Sequence, residues 1–206
     1  MNAQTARLRP TSLWASLIYF GVPALLMAGG FYILMPYLLG LGIAPYYAYS
    51  IALGLPLLVM LIASLIAYRL EGRPMRWRPF VRRLRYERMT LRDWLWTAGI
   101  FVAPALLNRQ FARLTKLAID RGTIPLPDAI PAFVDPRTVF SVPTLDTAVG
   151  GLRRNWTVLA VTVVLLVVNV LGEEFWWRGV IYPRQELALG RWTWLVHALL
   201  WDLFHA

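Results

Sequence analysis

Two long stretches near the N-terminus, residues 13–39 and 46–68, contain no charged side chain, and neither does the link between them, residues 40–45. A run of about twenty apolar residues is long enough to cross the ~30 Å hydrocarbon core of a bilayer as a helix. Within that core the backbone must satisfy its own hydrogen bonds, so such runs form helices rather than open sheets. Residues 91–107 and 155–171 read as third and fourth spans, the third broken near Pro104, and a fifth apolar segment starts near Arg191. The composition agrees, with 58% hydrophobic and 16% charged residues and a mean hydropathy of +0.53. The expectation is an all-α, polytopic transmembrane bundle of about five spans, one membrane domain over residues 1–206. Pro23, Gly29–Gly30 and Pro36 in the first span, and Gly54 and Pro56 in the second, bend these helices or let neighbours approach closely.

The charges lie between the spans. There are 21 basic residues against 11 acidic ones, for a net charge of +10, and Lys116 is the single lysine. Nine arginines fall between Arg69 and Arg92, directly after the second span. In a soluble protein this balance points to nucleic acid. No nucleic-acid-binding module accompanies it here, so nucleic acid is set aside and membrane lipids are the expected partner. The positive-inside rule places this loop and the N-terminus, with Arg7 and Arg9, on the cytoplasmic side. Residues 108–154 then lie outside, and the fourth span returns inward. Arg153 and Arg154 oppose this, but the larger loop dominates. The apolar stretch after Arg7 and Arg9 is too long for a signal-peptide core, so the first helix is retained.

Between the spans, Trp77, Phe80, Leu84 and Met89 punctuate the arginine loop, which suits an amphipathic helix at the surface. Thr90 is a candidate cap for the next helix, with Asp93 in its first turn. Residues 108–121 suit a short interfacial helix, with Phe111 on its apolar side. Residues 122–150 carry Pro125, Pro127, Pro131, Pro136 and Pro143, and read as an irregular loop or hairpin-like insert. That insert either covers a membrane-facing opening or merely connects. Residues 181–190 read as a connector. Neither a positive terminus nor a turn precedes Ala206, so the expectation is a fragment of a longer protein.

Glu173 and Glu174 follow the apolar run 158–171 with only Gly172 between. Two adjacent carboxylates at membrane depth are costly unless paired or used. On a helix Glu174 and Arg178 stand at i and i+4 and can pair, while Glu173 is rotated about 100° away and stays free. Neighbouring carboxylates raise one another's proton affinity, and a glutamate poised near neutrality can act as general base toward water. Glu173 is the candidate base and Glu174 its structural companion. The alternative is a helix end emerging among headgroups, with both glutamates solvated.

His197, Trp201 and His205 share a helix face at i, i+4 and i+8. A histidine near a glutamate can orient water, bind a metal or donate to an oxyanion. The alternatives are a packing role for His205 and an interfacial one for His197. Asp202 can orient an imidazole, pair with an arginine, or do neither. Absence of cysteine excludes disulfides, thiolate nucleophiles and cysteine metal sites. Zinc normally takes three protein ligands. Glu173 and His205 are the candidates for metal contact, and the cofactor stays open between none and a divalent ion such as zinc.

The segment Glu173-Glu174-Phe175-Trp176-Trp177-Arg178-Gly179 resembles the EExxxR motif of the CAAX prenyl endopeptidase and bacteriocin-processing (CPBP or Abi) intramembrane proteases. Trp201-Asp202-Leu203-Phe204-His205 resembles the second motif of that family, FxxxH, with tryptophan in the phenylalanine position. The connector Tyr182-Pro183-Arg184-Gln185-Glu186 also fits. The resemblance covers residues 155–206 and implies a helical membrane hydrolase opening toward the cytosol. By it, Glu173 activates water, Glu174 with Arg178 supports the site, and His205 positions the water. It further implies a later histidine and an asparagine or aspartate, which fall outside these 206 residues, so the displayed chain is expected to be inactive alone. Metalloprotease and bacteriocin-immunity roles come with the family, as does a cytoplasmic membrane of bacterial type. The expected substrate is a membrane-associated peptide. Two rival readings remain: a non-catalytic scaffold or immunity protein, and a transporter, which the lack of an evident internal repeat disfavours.

Overall fold

The computed structural model describes residues 8–84, 88–126, 130–137 and 141–205, apart from the side chains at 104, 105, 108, 109 and 111. Arg7, Pro127 and the Phe111 side chain lie outside what is described. Every regular element among the described residues is helical.

Helix α1 (Leu13–Gly29) starts where the Ser12 hydroxyl accepts from the Ala15 N–H at 3.2 Å, satisfying an otherwise orphaned donor. The ladder widens into a π-helical turn at Gly30–Leu34 and resumes as α2 (Met35–Gly40). A Cβ at Gly30 would stand 2.5 Å from the Ala52 carbonyl oxygen, so the bare glycine lets α3 (Pro45–Leu70) press against this turn. The basic loop then forms a short helix, α4 (Trp77–Arg83), with Trp77 on the surface and Arg83 buried.

Helix α5 (Leu91–Asp120) begins with a reciprocal cap. The Thr90 hydroxyl accepts from the Asp93 N–H, and the Asp93 carboxylate accepts from the Thr90 N–H at 2.8 Å. This helix departs from expectation. Its backbone stays helical through Pro104 and absorbs residues 108–120, so the break and the separate interfacial helix are both replaced by one 30-residue helix. The insert also ends differently. Residues 142–149 form α6 (Val142–Val149) with a Ser141–Thr144 cap and Pro143 in its first turn, where a missing N–H costs nothing. Phe133, Ala148 and Val149 pack with Tyr46 and Val158, and the Tyr32 hydroxyl donates to the Pro125 carbonyl at 2.8 Å. The insert therefore covers one end of the bundle.

Helix α7 (Trp156–Glu173) packs along α3 and passes into a second π-helical segment, Glu174–Ile181. The expected connector is instead α8 (Tyr182–Leu189), with Pro183 in its first turn. After a 3-10 turn at Gly190–Trp192, α9 (Thr193–His205) runs back antiparallel, since His197 meets Gln185 while Phe204 meets Trp177.

Three helical runs among the described residues are long and apolar enough to cross a membrane: Leu13–Gly40, Pro45–Leu70 and Trp156–His205. The expected count of five is thus corrected to three. Residues 91–107 belong to a helix whose charged continuation dilutes its apolar character, and the fourth and fifth segments belong to one run folded back at Gly190. The result is an all-α, multi-pass membrane architecture. At its centre Phe20, Leu57, Met60, Trp177, Ile181 and Leu200 join α1, α3, the second π-helical segment and α9.

Candidate active site

Helix α7 delivers the acidic pair. Asn155 caps its start by accepting from the Val158 N–H at 3.2 Å. At its far end a Cβ on Gly172 would lie 2.6 Å from the Leu57 carbonyl oxygen, so glycine is what lets α7 touch the α3 backbone just before Glu173. The next residues enter the π-helical segment, an i→i+5 widening that recurs at functional sites in proteins.

Glu173 and His205 face each other, with His205 Nε2 4.0 Å from a Glu173 carboxylate oxygen. Both keep access to solvent or ligand, with side chains 24% and 42% exposed. The other ring nitrogen, Nδ1, lies 2.9 Å from the Trp201 carbonyl. A carbonyl only accepts, so Nδ1 carries the proton, and in the neutral ring Nε2 offers a lone pair on the side of Glu173. At 4.0 Å the pair is too long for a direct hydrogen bond, and a water beside it can bond to both.

Glu174 and Arg178 form the i, i+4 ion pair at 3.3 Å. Arg178 is 75% exposed, so the pair adds little stability and its value lies in orienting the carboxylate. Glu173, Glu174, Arg178 and His197 line one cleft of about 240 Å³ whose walls are Trp177, Tyr182, Trp194 and Trp201. Asp202 is exposed and makes no contact with this group among the described residues.

Two groupings escaped the sequence reading. The first is a buried cluster at the end of α3. The Glu71 carboxylate accepts from Arg83 at 2.7 and 2.9 Å, from Arg73 at 2.8 Å and from Arg184 at 2.9 Å, with its side chain 4% exposed. Arg83 also donates to the Gly179 carbonyl, and Arg184 to that of Val180. These bonds satisfy carbonyls at the end of the π-helical segment that carries Glu174 and Arg178. Burial alone pushes the Glu71 carboxyl up, but the Arg83 hydrogen bonds and the charges of Arg83, Arg184 and Arg73 outweigh it and hold the carboxyl below its usual range. The second grouping is a chain of polar groups, buried Ser16 and Gln185 and half-buried His197, linking α1, α8 and α9. In the sequence, Glu71 is one acid inside a run of arginines, and Gln185 sits in an apparent connector. Neither position signals burial.

The fit to a metal is incomplete. Among the described residues no group of three metal-ligating side chains converges. Glu173 and His205 supply two donors where a zinc site normally uses three.

The family model described as type II CAAX prenyl endopeptidase Rce1-like matches residues 155–206. That stretch is a quarter of the chain and contains Glu173, Glu174, Arg178 and His205. No curated protein and no solved structure matches the chain significantly.

Proposed function

We propose that this protein is an intramembrane endopeptidase of the CAAX-processing (CPBP or Abi) type, acting on a membrane-associated peptide. The observation that supports this reading is the approach of Glu173 to His205 across 32 residues of chain, inside the stretch similar to that protease family. Glu173 takes a proton from a water held between the two side chains. The resulting hydroxide oxygen attacks a peptide carbonyl carbon, the carbonyl oxygen becomes an oxyanion, and collapse breaks the C–N bond as the leaving amine takes the proton. Glu174, fixed by Arg178, keeps the acidic end of the π-helical segment in place. His205 orients the water through Nε2. No step requires a metal, and a divalent ion held partly by Glu173 and His205 belongs to the family's wider possibilities.

The deciding experiment expresses the full-length protein, with any residues that follow position 206, in membranes, supplies candidate membrane peptides, and reads new termini by mass spectrometry. Glu173→Gln keeps the shape and removes the base, and a positioned general base typically contributes about 10²–10⁴-fold. Cleavage is expected to fall by that order with abundance unchanged. Equal cleavage by wild type and variant, or none with partner binding intact, favours the non-catalytic scaffold or immunity role.

A further inference from the structure

His197 lies in the cleft but has no part in the water chemistry above. Its Nδ1 is 2.7 Å from Gln185 Oε1, and the Gln185 amide donates through Nε2 to the Ser16 hydroxyl at 3.0 Å. Gln185 and Ser16 are both fully buried. With the Gln185 amide oriented as it is, this chain selects one imidazole tautomer. The Gln185 amide turns its NH₂ toward Ser16 and therefore its carbonyl toward the ring, a carbonyl only accepts, and so Nδ1 bears the hydrogen. Nε2 is left with a bare lone pair. Phe20 and Tyr182 meet the ring edge-on, with centroids 5.3 and 5.0 Å away, and hold its plane. Nε2 has no partner among the described residues, and it is not sealed off, because the imidazole forms part of the cleft wall.

A second polar group on a residue of the cleft wall also lacks a partner. Trp177 is 2% exposed and lines the cleft, and its indole N–H is buried without any hydrogen-bond partner. Its ring stacks on Phe20 at 4.4 Å, the residue that also meets His197. The cleft thus offers one fixed acceptor, the His197 ring, braced on Phe20 as the Trp177 ring is. A main-chain peptide unit carries an N–H that complements this acceptor.

We propose that His197 is a substrate-binding residue whose Nε2 accepts a hydrogen bond from a main-chain N–H of a peptide in the cleft, with Gln185 and Ser16 as positioning residues that lock its tautomer. This rests on the reading that the cleft takes a peptide, but it is separable from cleavage by Glu173.

The chain has two histidines, so ¹⁵N-histidine labelling gives two imidazoles, and a His205→Gln sample assigns them. The full chain in detergent is expected to show His197 as the Nδ1–H tautomer with an unprotonated Nε2. Titration with an acetylated apolar pentapeptide amide, in a Glu173→Gln background that keeps it intact, is expected to shift Nε2 saturably. Ser16→Ala, the gentler variant, and Gln185→Leu are expected to mix the tautomers and weaken peptide binding several-fold, read by polarisation of a labelled peptide. An Nε2–H tautomer in the unsubstituted residue set, an Nε2 signal that stays still while the labelled peptide is bound, or no peptide binding at all overturns the proposal. A peptide that shifts Nε2 yet is never cut by the full-length protein with Glu173 intact refutes the protease reading alone. One that is cut while Nε2 stays still refutes the His197 assignment alone.

Discussion

Replacing Glu71 by glutamine removes one negative charge from among three guanidinium groups that lie within 2.9 Å of it. The amide matches the carboxylate in shape, so the loss is electrostatic. Arg83 is 6% exposed and cannot turn to water without unpacking α4, while Arg73 and Arg184, at 12% and 15%, are only slightly freer. Removing one partner of a buried ion pair typically costs about 3–5 kcal/mol because the other charge is left uncompensated. In a chain of this size each kcal/mol moves the melting midpoint by about 2–4 °C, so Glu71→Gln is expected to melt about 6–20 °C below wild type. The assay is thermal unfolding in detergent, followed by tryptophan fluorescence and by the fraction surviving size exclusion. Lys116→Ala is the control. It breaks the Lys116–Asp120 pair, whose side chains are about half exposed, and such pairs contribute about 0–1 kcal/mol. The pH dependence has a definite sign. The folded-state value of Glu71 is depressed, so its contribution is complete above the unfolded-state value of about 4.3 and is lost as pH falls through the folded value. Wild type should therefore lose stability more steeply than Glu71→Gln below about pH 4. A Glu71→Gln midpoint within the range of the Lys116→Ala control, or parallel acid limbs in both proteins, would refute the reasoning.

The remaining expectations concern the cleft. His205→Gln removes the group that faces Glu173, and peptide cleavage should fall with little change in melting midpoint, since His205 is largely exposed; a midpoint drop matching Glu71→Gln would make it a packing residue instead. Gly172→Ala forces α7 off the Leu57 carbonyl and should cost about 1–3 kcal/mol with loss of cleavage, whereas Gly21→Ala, where the added methyl meets open space, should be neutral or better on the same melting assay. Dialysis against a strong chelator should leave the melting curve unchanged, because the described residues bring only two donors together; a midpoint drop restored by zinc would show that a third ligand completes the site.

The spans were legible because lipid imposes a simple rule. Residues 13–39, 46–68 and 155–171 have the length and composition that only a helix can use in a bilayer, and each appears within a helix or helical run. The Thr90 cap and the Glu174–Arg178 pair were legible because both are local, three and four residues apart. Residues 91–107 misled because the apolar stretch was judged without its continuation. A helix ends where its backbone bonds end, and α5 runs on through Asp120 carrying Arg113 and Lys116. Pro183 misled in the same way, since proline breaks a helix interior but is neutral in a first turn, where it sits in α8.

What stayed hidden is whatever depends on distant partners or on ladder register. A π-helical segment has no composition of its own, so nothing in Glu174–Ile181 announces that the ladder widens there. Glu71 and Arg184 are 113 residues apart, and Gln185 and Ser16 are 169 apart. Side chains that look solvated in the sequence, one acid in a basic loop and one amide in an apparent connector, become buried because α4 and α8 fold back onto the ends of α3 and α1. The family resemblance named Glu173, Glu174, Arg178 and His205 but says nothing of what holds them. That support falls to residues outside the motifs. Arg83 and Arg184 tie the π-helical segment to Glu71, and Gln185 ties α9 to α1 through His197. Loss of Glu71 and loss of Gln185 should therefore both reduce cleavage, the first by loosening the acidic face and the second by releasing the His197 imidazole in the same cleft. The two groupings meet at the adjacent residues Arg184 and Gln185 of α8, so the double variant should depart from the sum of the single effects on stability.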